Sequence, residues 1–167
     1  MSGHKVALDP PVGDVALITR DLLDRVSAEA QNSPRRRMIQ PFHKDHTDPV
    51  HRMLNAMEPG TYVRPHRHLD PPKAEAWILL RGALDFYVFE DDGRVREKVR
   101  VTPDGTLGVD IQPGVYHSLV ALLPGTIVYE LKTGPYAVLN DKAFAPWAPA
   151  EGDPGVAAYL ASLQLIA

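Results

Sequence analysis

The sequence predicts an all-β protein, an antiparallel sandwich or barrel with one helix near each end of the chain. Turn signals such as DDG, PDG, QPG and LPG interrupt the middle of the chain at short intervals, a pattern typical of many short strands. Apolar residues recur at helical spacing near the start and near the end. A chain of 167 residues, of which 44% are hydrophobic, is long enough for one core, so we expect a single domain over residues 1–167.

The chain is predicted to begin with a loose arm followed by an amphipathic helix. Residues 1–16 are polar and contain prolines, which favours the arm. Thr19 can cap the start of the helix, and the sequence NSP ends its pattern. The apolar face of this helix is formed by Leu22, Val26 and Ala30. We therefore expect the first helix within residues 17–33.

Residues 37–150 are predicted to hold the strands and a proline-rich tail. The punctuation indicates roughly eight to ten short strands. The clearest pair is LDFYVFEDDGRVREKVRV, where two β-rich runs flank Asp92 and Gly93. Because Asp-Gly readily adopts the positive φ angles of a two-residue turn, this segment predicts a β-hairpin.

A second helix is predicted in residues 153–164. Asp153 can cap its start, and Pro154 suits the first helical position. The apolar face of this helix is formed by Val156, Leu160 and Leu163. The strands are therefore expected between two helices.

Composition excludes several classes of function. The chain has no cysteine, so any metal must be held by nitrogen and oxygen. The net charge is -3 and the basic residues are scattered apart from residues 35–37, which argues against a nucleic-acid partner. No apolar stretch reaches the ~18 residues of a membrane helix. The start of the chain also lacks the pattern of a secretion signal, so we expect a cytoplasmic protein with no membrane partner.

Three histidines and a glutamate stand out in two segments that enter apolar runs. In GTYVRPHRHLDPPKAEAWILLRG, His66 and His68 lie one residue apart, and Glu75 follows a double proline. If TYVRPHRH is a strand, both imidazoles lie on one face, ~7 Å apart along it. His117 begins another apolar run after a Pro-Gly turn. These four side chains could therefore meet and hold one metal ion, although the spacing alone does not decide it.

Three further side chains are predicted to bind a small-molecule substrate. Tyr62 and Arg64 share the strand face of the first two histidines, and Lys73 lies in the loop that follows them. Positive charge near an ion favours a ligand with an oxygen-rich anionic group, such as a carboxylate or a sugar acid. Arg64 could instead pair with a carboxylate such as Glu130.

The order of these residues resembles the two sequence motifs of the cupins. The residues that match the first motif are Gly60, His66, His68, Glu75 and Gly82. PGVYH, which ends in His117, resembles the second motif. More residues separate His68 from Glu75 than in most cupins, and Pro113 directly precedes Gly114 instead of lying two positions before it. Glu75 also has an alternative role, as a surface residue paired with a neighbouring basic side chain.

Two longer segments resemble the WbuC-type cupin-fold metalloproteins. These segments are VHRMLNAMEPGTYVRPHRHLDPPKAE and GPYAVLNDKAFAPWAP, and the resemblance extends from about Leu17 to Leu163. It implies a single cupin barrel, a double-stranded β-helix or jelly roll, with an N-terminal helix and a metal held by the three histidines. It also implies a link to surface-polysaccharide synthesis, while the reaction of that family is unassigned.

The predicted ligands suit one divalent transition metal ion. Three imidazoles and a carboxylate, without a thiolate, bind iron, manganese, nickel, copper or zinc, and the sequence does not choose among them. We predict a metal-dependent enzyme that acts on a small polar or anionic metabolite, which could be sugar-derived. A non-heme iron dioxygenase is one alternative. A non-catalytic sugar-binding or sensor module is another, because the motifs contain no obvious general acid or base.

Other polar residues are assigned from strand alternation. Arg52 and Asn55 lie on opposite faces of a regular strand, so at most one should face the cavity. His43, His46 and His51 are predicted at the surface, because their spacing puts no two of them on one face of a regular element.

The tail FAPWAP and the oligomeric state are predicted together. Phe144 and Trp147 in this tail could form a hydrophobic clamp that seals the barrel, or a contact between subunits. Because small barrels leave open sheet edges and the arm and tail add apolar surface, we expect a homodimer.

Overall fold

The computed structural model describes residues 5–137 and 141–166. Over these residues the chain forms two antiparallel five-stranded sheets and two helices, which confirms the predicted mostly-β class. In chain order the elements are α1 (Arg20–Asn32), β1 (Arg37–Pro41), β2 (Val50–Met57), β3 (His66–Arg67), β4 (Glu75–Arg81), β5 (Leu84–Phe89), β6 (Val95–Val101), β7 (Gly108–Ile111), β8 (Tyr116–Ala121), β9 (Thr126–Thr133), β10 (Ala143–Phe144) and α2 (Val156–Gln164). Neither helix in this part of the chain combines the length and hydrophobicity needed to cross a membrane.

Each sheet joins strands from distant parts of the sequence. The first sheet has the order β1-β2-β9-β4-β7, and the second has the order β10-β3-β8-β5-β6. The predicted hairpin is confirmed as β5 and β6, with Leu84 opposite Val101. Gly93 lies in its turn with φ 91°, a conformation that glycine adopts without steric cost.

The main core lies between the two sheets. Because side chains alternate along a strand, each sheet sends every second residue inwards. The buried residues of the first sheet in this core include Met57, Trp77, Leu79, Ile111 and Val128. Those of the second sheet include Leu84, Phe86, Val88, Leu119 and Ala121. The sheets therefore pack face to face.

Helix α1 covers the outer face of the first sheet, and its predicted cap and apolar face are confirmed. The backbone N–H of Leu22 donates to the Thr19 hydroxyl over 3.2 Å. Leu22, Val26 and Ala30 are buried, and they pack against a cluster of strand residues. That cluster includes Met38, Leu54, Ala56 and Ile127. This packing supplies most of the stability of a helix of this length.

The tail and α2 cover the outer face of the second sheet. The Trp147 ring lies 5.0 Å from that of Phe89 and 6.0 Å from that of Tyr116, between ring centroids. Trp147 thus packs within its own chain, as a clamp would. Phe144 in the same tail is half exposed, and a role in a subunit contact stays a prediction.

The start of α2 differs from the prediction. The helix begins at Val156 with Gly155 as N-cap, and no side chain caps it. The Asp153 carboxylate instead accepts a hydrogen bond from the N–H of Ala150. The carboxylate therefore closes the turn that precedes Asp153. Pro154 and Gly155 then form a further turn, and the helix begins after it.

The N-terminal arm is attached to the first sheet over part of its length. The N–H of Leu8 donates to the carbonyl oxygen of Ile39 over 2.8 Å, and Ala7 forms a parallel bridge with the same residue. The amide of Gln40 donates to the Asp9 carbonyl. Residues 7–9 are thus held along β1, which the polar composition of the arm did not indicate.

Candidate metal centre

The structure brings together the four residues that the sequence singled out. His66 lies on β3, Glu75 begins β4, and His117 lies on β8, while His68 follows β3 directly. One nitrogen or oxygen atom of each side chain lies within 4.8 Å of the corresponding atom of every other. All four residues are at most 4% exposed. The alternative of a surface Glu75 is therefore wrong.

Strand pairing places these side chains. His66 is directly opposite His117 in the β3 and β8 ladder, so their rings meet with centroids 4.6 Å apart. The loop after β3 is tied to the turn before β8, because the N–H of Gly114 donates to the carbonyl oxygen of His68. Glu75 enters from the other sheet. The centre thus joins both sheets at one end of the sandwich.

Each histidine of the centre is oriented by a backbone carbonyl at its Nδ1 atom. The Nδ1 atom of His66 lies 2.9 Å from the carbonyl oxygen of Arg64, and that of His117 lies 3.0 Å from the carbonyl oxygen of Val115. The Nδ1 atom of His68 contacts the carbonyl oxygen of Asp141. Because a carbonyl only accepts, each Nδ1 must carry a hydrogen, so Nε2 is the atom of each ring that remains to bind a metal ion.

Two of these Nε2 atoms face the Glu75 carboxylate. The distance from Nε2 to a carboxylate oxygen is 3.1 Å for His68 and 2.9 Å for His117. Burial raises the pKa of Glu75, but contacts with His117 and His68 outweigh it and place the pKa well below its ordinary value. The carboxylate is therefore ionised.

A divalent cation fits this arrangement. Two Nε2 atoms and one Glu75 oxygen are buried without a hydrogen-bond partner of good geometry, although the atoms lie close together. Burial, and next the charge of His117, lower the pKa of His66 well below its ordinary value, so His66 is neutral, as a ligand must be. Lone pairs that converge on a carboxylate need a positive charge between them. The His66, His68, Glu75 and His117 set would hold such an ion.

A cavity of about 450 Å³ lies beside the centre, between the sheets, and His66 and Glu75 form part of its wall. Most of the remaining wall is apolar. The apolar residues include Met53, Met57, Val63, Trp77, Leu119 and Val128. The polar side chains near the centre are those of Asn55, Glu130, Lys132 and Lys142. This volume is in the range of small-molecule sites.

Glu130 is a second buried carboxyl group in the cavity. Its side chain accepts a hydrogen bond from the Asn55 amide. The alternative pairing of Arg64 with Glu130 is not formed, because the Arg64 guanidinium donates to the Ala145 carbonyl oxygen. Burial, and next the charge of Glu75, raise the pKa of Glu130 to about 7. Glu130 can therefore hold or release a proton near neutral pH. Asn55 faces the cavity and Arg52 does not, in agreement with the prediction.

Lys73 and Lys132 share one carboxylate behind the centre. Their ammonium groups lie 2.7 Å and 2.9 Å from different oxygen atoms of Asp141. Lys73 also donates to the carbonyl oxygen of Pro135 and does not line the cavity. Because the carbonyl oxygen of Asp141 contacts His68, this buried network positions a candidate ligand. A role of Lys73 in binding substrate stays a prediction.

Residues 61–65 do not form the predicted strand, and this changes which side chains face the cavity. Val63 lines the cavity, whereas Tyr62 and Arg64 do not. The Tyr62 hydroxyl donates to the carbonyl oxygen of Pro149, and the Arg64 guanidinium donates to that of Ala145. The shared face predicted for Tyr62 and Arg64 with the histidines is wrong, because the chain pairs as a strand only at His66–Arg67. Their role in binding a substrate stays a prediction.

The prediction that His43 and His51 lie at the surface is also wrong. His43 is 9% exposed and His51 is 2% exposed, and their rings stack with centroids 4.1 Å apart. Both line the cavity together with exposed His46. The sequence contained a signal that His51 faces the cavity, because His51 lies at every-second-residue spacing along β2 with three other cavity residues. Those residues are Met53, Asn55 and Met57.

The fold is similar to those of solved cupin-fold proteins. The capsular polysaccharide assembling protein CapF from Staphylococcus aureus has a TM-score of 0.53 and 20% identity, over 64% of this chain. Oxalate decarboxylase from Bacillus subtilis has a TM-score of 0.47 and 17% identity, over 59% of this chain and 24% of that chain. The Cnp3 cupin domain of Schizosaccharomyces pombe has a TM-score of 0.46 and 14% identity, over 59% of this chain and 64% of that chain. This chain spans 28% of the length of CapF, and the likeness concerns the fold alone.

The sequence itself matches one family. No curated protein matches it significantly. The family described as Domain of unknown function (DUF6016) matches residues 18–101, half of the chain. The matched part includes His66, His68 and Glu75, and His117 lies beyond it. The chain belongs to the DUF6016 family.

Proposed function

We propose that the protein is a metal-dependent enzyme that acts on a small anionic metabolite. A single divalent transition metal ion would be held by His66, His68, Glu75 and His117. The observation that carries this proposal is the orientation of the three imidazoles. Each has Nδ1 on a backbone carbonyl, so the Nε2 atoms are the ones that remain to bind an ion beside a buried carboxylate.

The bound ion would act as a Lewis acid on an oxygen atom of the metabolite. The chain supplies the remaining requirements of catalysis. The apolar wall limits water around the ligand, which strengthens electrostatic interactions there. Glu130 lies in the same wall as a second buried carboxyl group, which is a residue type that serves as a general acid or base. This group, which the motifs do not include, favours an enzyme over a non-catalytic module.

The finer assignment of the fold is part of the same proposal. Two sheets whose strands interleave in sequence, with the site at one end between them, support a jelly-roll cupin barrel. The segments around the histidines and the tail support membership of the WbuC-type group. A single domain over residues 1–167, a cytoplasmic location and a homodimer stay predictions.

Elemental analysis of the purified protein tests the proposal. We expect about one divalent transition metal ion per chain, retained through gel filtration and removed by a chelator. The metal-loaded protein should then turn over a small carboxylate, and the chelated protein should not. His46→Ala is the matched control, because His46 is an exposed cavity histidine outside the centre. A protein that binds no transition metal after incubation with iron, manganese, nickel, copper and zinc salts would contradict the proposal.

The same assay separates the dioxygenase alternative from a Lewis-acid enzyme. An iron dioxygenase stops turning over without oxygen, whereas a Lewis-acid enzyme continues. Turnover that continues anaerobically would exclude the alternative.

A further inference from the structure

We propose that the cavity ligand is a small monocarboxylate with an apolar body, not a polyhydroxylated sugar acid. Its carboxylate would lie between the metal centre and Lys142, and its body would lie on the apolar wall. This inference rests on the proposed metal function and specifies the substrate class of the same site.

The wall of the cavity divides into two parts. One part consists of the metal centre with Glu130, Lys132 and Lys142, and the other charged side chains of the wall, Arg35 and Arg37, are paired with Glu151. The other part is formed by side chains that have no hydrogen-bonding capacity. These are Met53, Met57, Val63, Leu119 and Val128. A ligand that fits both parts has one charged end and one apolar end.

Several polar groups of the wall have protein partners, whereas the Trp77 ring nitrogen is buried without one and can donate to a single ligand atom. The Asn55 amide and the Glu130 carboxyl bind each other, and His43 contacts the backbone at Arg52. His51 contacts the carbonyl oxygen of His46. Several hydroxyl groups of a sugar acid would therefore lie against an apolar surface without partners, and each would lose its hydration. An alkyl body would gain from burial on the same surface.

Among the lysine and arginine residues that the structure describes in the cavity wall, Lys142 is the one without a carboxylate partner. Asp141 pairs with Lys132, and Glu151 pairs with Arg35 and Arg37. Among the described residues, no carboxylate lies within ion-pair distance of Lys142, and its side chain is exposed at the cavity. Lys142 also directly precedes β10, whose Phe144 is opposite His66. Its charge is thus both unpaired and close to the centre, where it can bind a carboxylate.

The test compares two monocarboxylates of equal carbon number, isocaproate and gluconate, by calorimetry on the zinc-loaded protein. We expect isocaproate to bind at least about tenfold more tightly than gluconate, since the alkyl body is buried where hydroxyl groups are not satisfied. Replacing the ligand carboxylate with its neutral amide should weaken binding about tenfold or more.

Lys142→Met identifies the anchor. This variant should weaken isocaproate binding about tenfold and leave binding of isocaproamide unchanged, because only the carboxylate pairs with the ammonium group. Lys44→Met is the control, since Lys44 is exposed and lies outside this cavity. It should change neither affinity.

The outcomes separate this inference from the proposed function. The inference would be overturned if gluconate bound as tightly as isocaproate, or if neither acid bound to the zinc-loaded protein. An unchanged isocaproate affinity in Lys142→Met would also overturn it. Failure of the protein to take up zinc, measured in the same samples, would overturn the proposed function instead.

Discussion

Two groups of histidines lie at the same cavity, and they differ in what their ring nitrogens contact. The inner group is His66, His68 and His117, and the outer group is His43, His46 and His51. In the inner group every Nδ1 is bound to a carbonyl, and two Nε2 atoms face the Glu75 carboxylate. In the outer group two rings stack on each other, and their nitrogens contact backbone groups.

Burial and proximity therefore do not distinguish a metal centre from packed histidines. His51 is as buried as His68, at 2% exposure, and its ring lies closer to His43 than the inner rings lie to one another. The difference is that the Nε2 atoms of His68 and His117 have no hydrogen-bond partner of good geometry and converge on the Glu75 carboxylate. Free lone pairs next to a negative charge are what a cation requires.

The largest effect should come from removing one inner histidine. His117→Ala should lower zinc affinity about a thousandfold, because one of four ligands and its fixed orientation are lost. His51→Ala should leave zinc affinity within about twofold. Competition with a chromophoric chelator measures both affinities, and circular dichroism checks that both variants are folded. Equal losses in the two variants would remove the distinction between the groups.

Glu75→Gln should have the next largest effect. The amide keeps the shape of the side chain but removes the charge that balances the ion, so zinc affinity should fall about a hundredfold. Glu97→Gln, at an exposed position of β6 outside the centre, provides the matched control. An unchanged affinity in Glu75→Gln would show that the histidines alone hold the ion.

Glu130→Gln should alter how stability depends on pH in the metal-free protein. The pKa of Glu130 is raised from 4.5 to about 7 in the folded state. The stability that protonated Glu130 contributes is therefore fully present below pH 4.5 and is lost as pH rises through about 7. Between pH 4.5 and pH 8, the free energy of unfolding of the metal-free wild type should therefore fall by up to about 3 kcal/mol more than that of Glu130→Gln. The groups that face Glu130 are Glu75, Lys132, Lys142, His117 and Asn55. Urea unfolding at a series of pH values measures the difference, and parallel curves for the two proteins would contradict it.

The smallest effect should come from the outer group. Burial, and next the charge of His43, lower the pKa of His51, so the stability that neutral His51 provides is lost as pH falls below its unfolded pKa of about 6.5. His51→Phe keeps a stacked ring that does not titrate. Between pH 7 and pH 5 its melting temperature should fall about 2 °C less than that of wild type. A larger fall in the variant would show that His51 does not resist protonation.

Local patterns were sufficient to predict parts of the fold and of the site. The cap at Thr19 and the hairpin at Gly93 depend on residues close in sequence, so their residue types determine them. The meeting of His66 with His117 depends on distant strands, and it was predictable because both histidines match the two cupin motifs. The motif order then placed Glu75 with them.

Other features depend on contacts that no local pattern contains. The strand predicted through Arg64 does not form, because this segment contacts the tail instead. The Arg64 guanidinium donates a hydrogen bond to the carbonyl oxygen of Ala145 in the tail. His43 lies just after β1 and is buried where its ring stacks on that of His51 near the start of β2. The raised pKa of Glu130 requires burial opposite Asn55. Such partners come from tertiary packing, which sequence alternation does not specify.

The most direct test of the metal centre is the protonation state of its imidazoles, measured by long-range ¹H–¹⁵N NMR during titration with zinc. We predict that in the metal-free protein His66, His68 and His117 each carry hydrogen on Nδ1, because each Nδ1 faces a carbonyl oxygen. On addition of zinc, their three Nε2 resonances should shift together and saturate at about one equivalent, while those of His43 and His51 stay in place. Hydrogen on Nε2 of the inner histidines that zinc does not displace, or shifts confined to the outer group, would contradict the account.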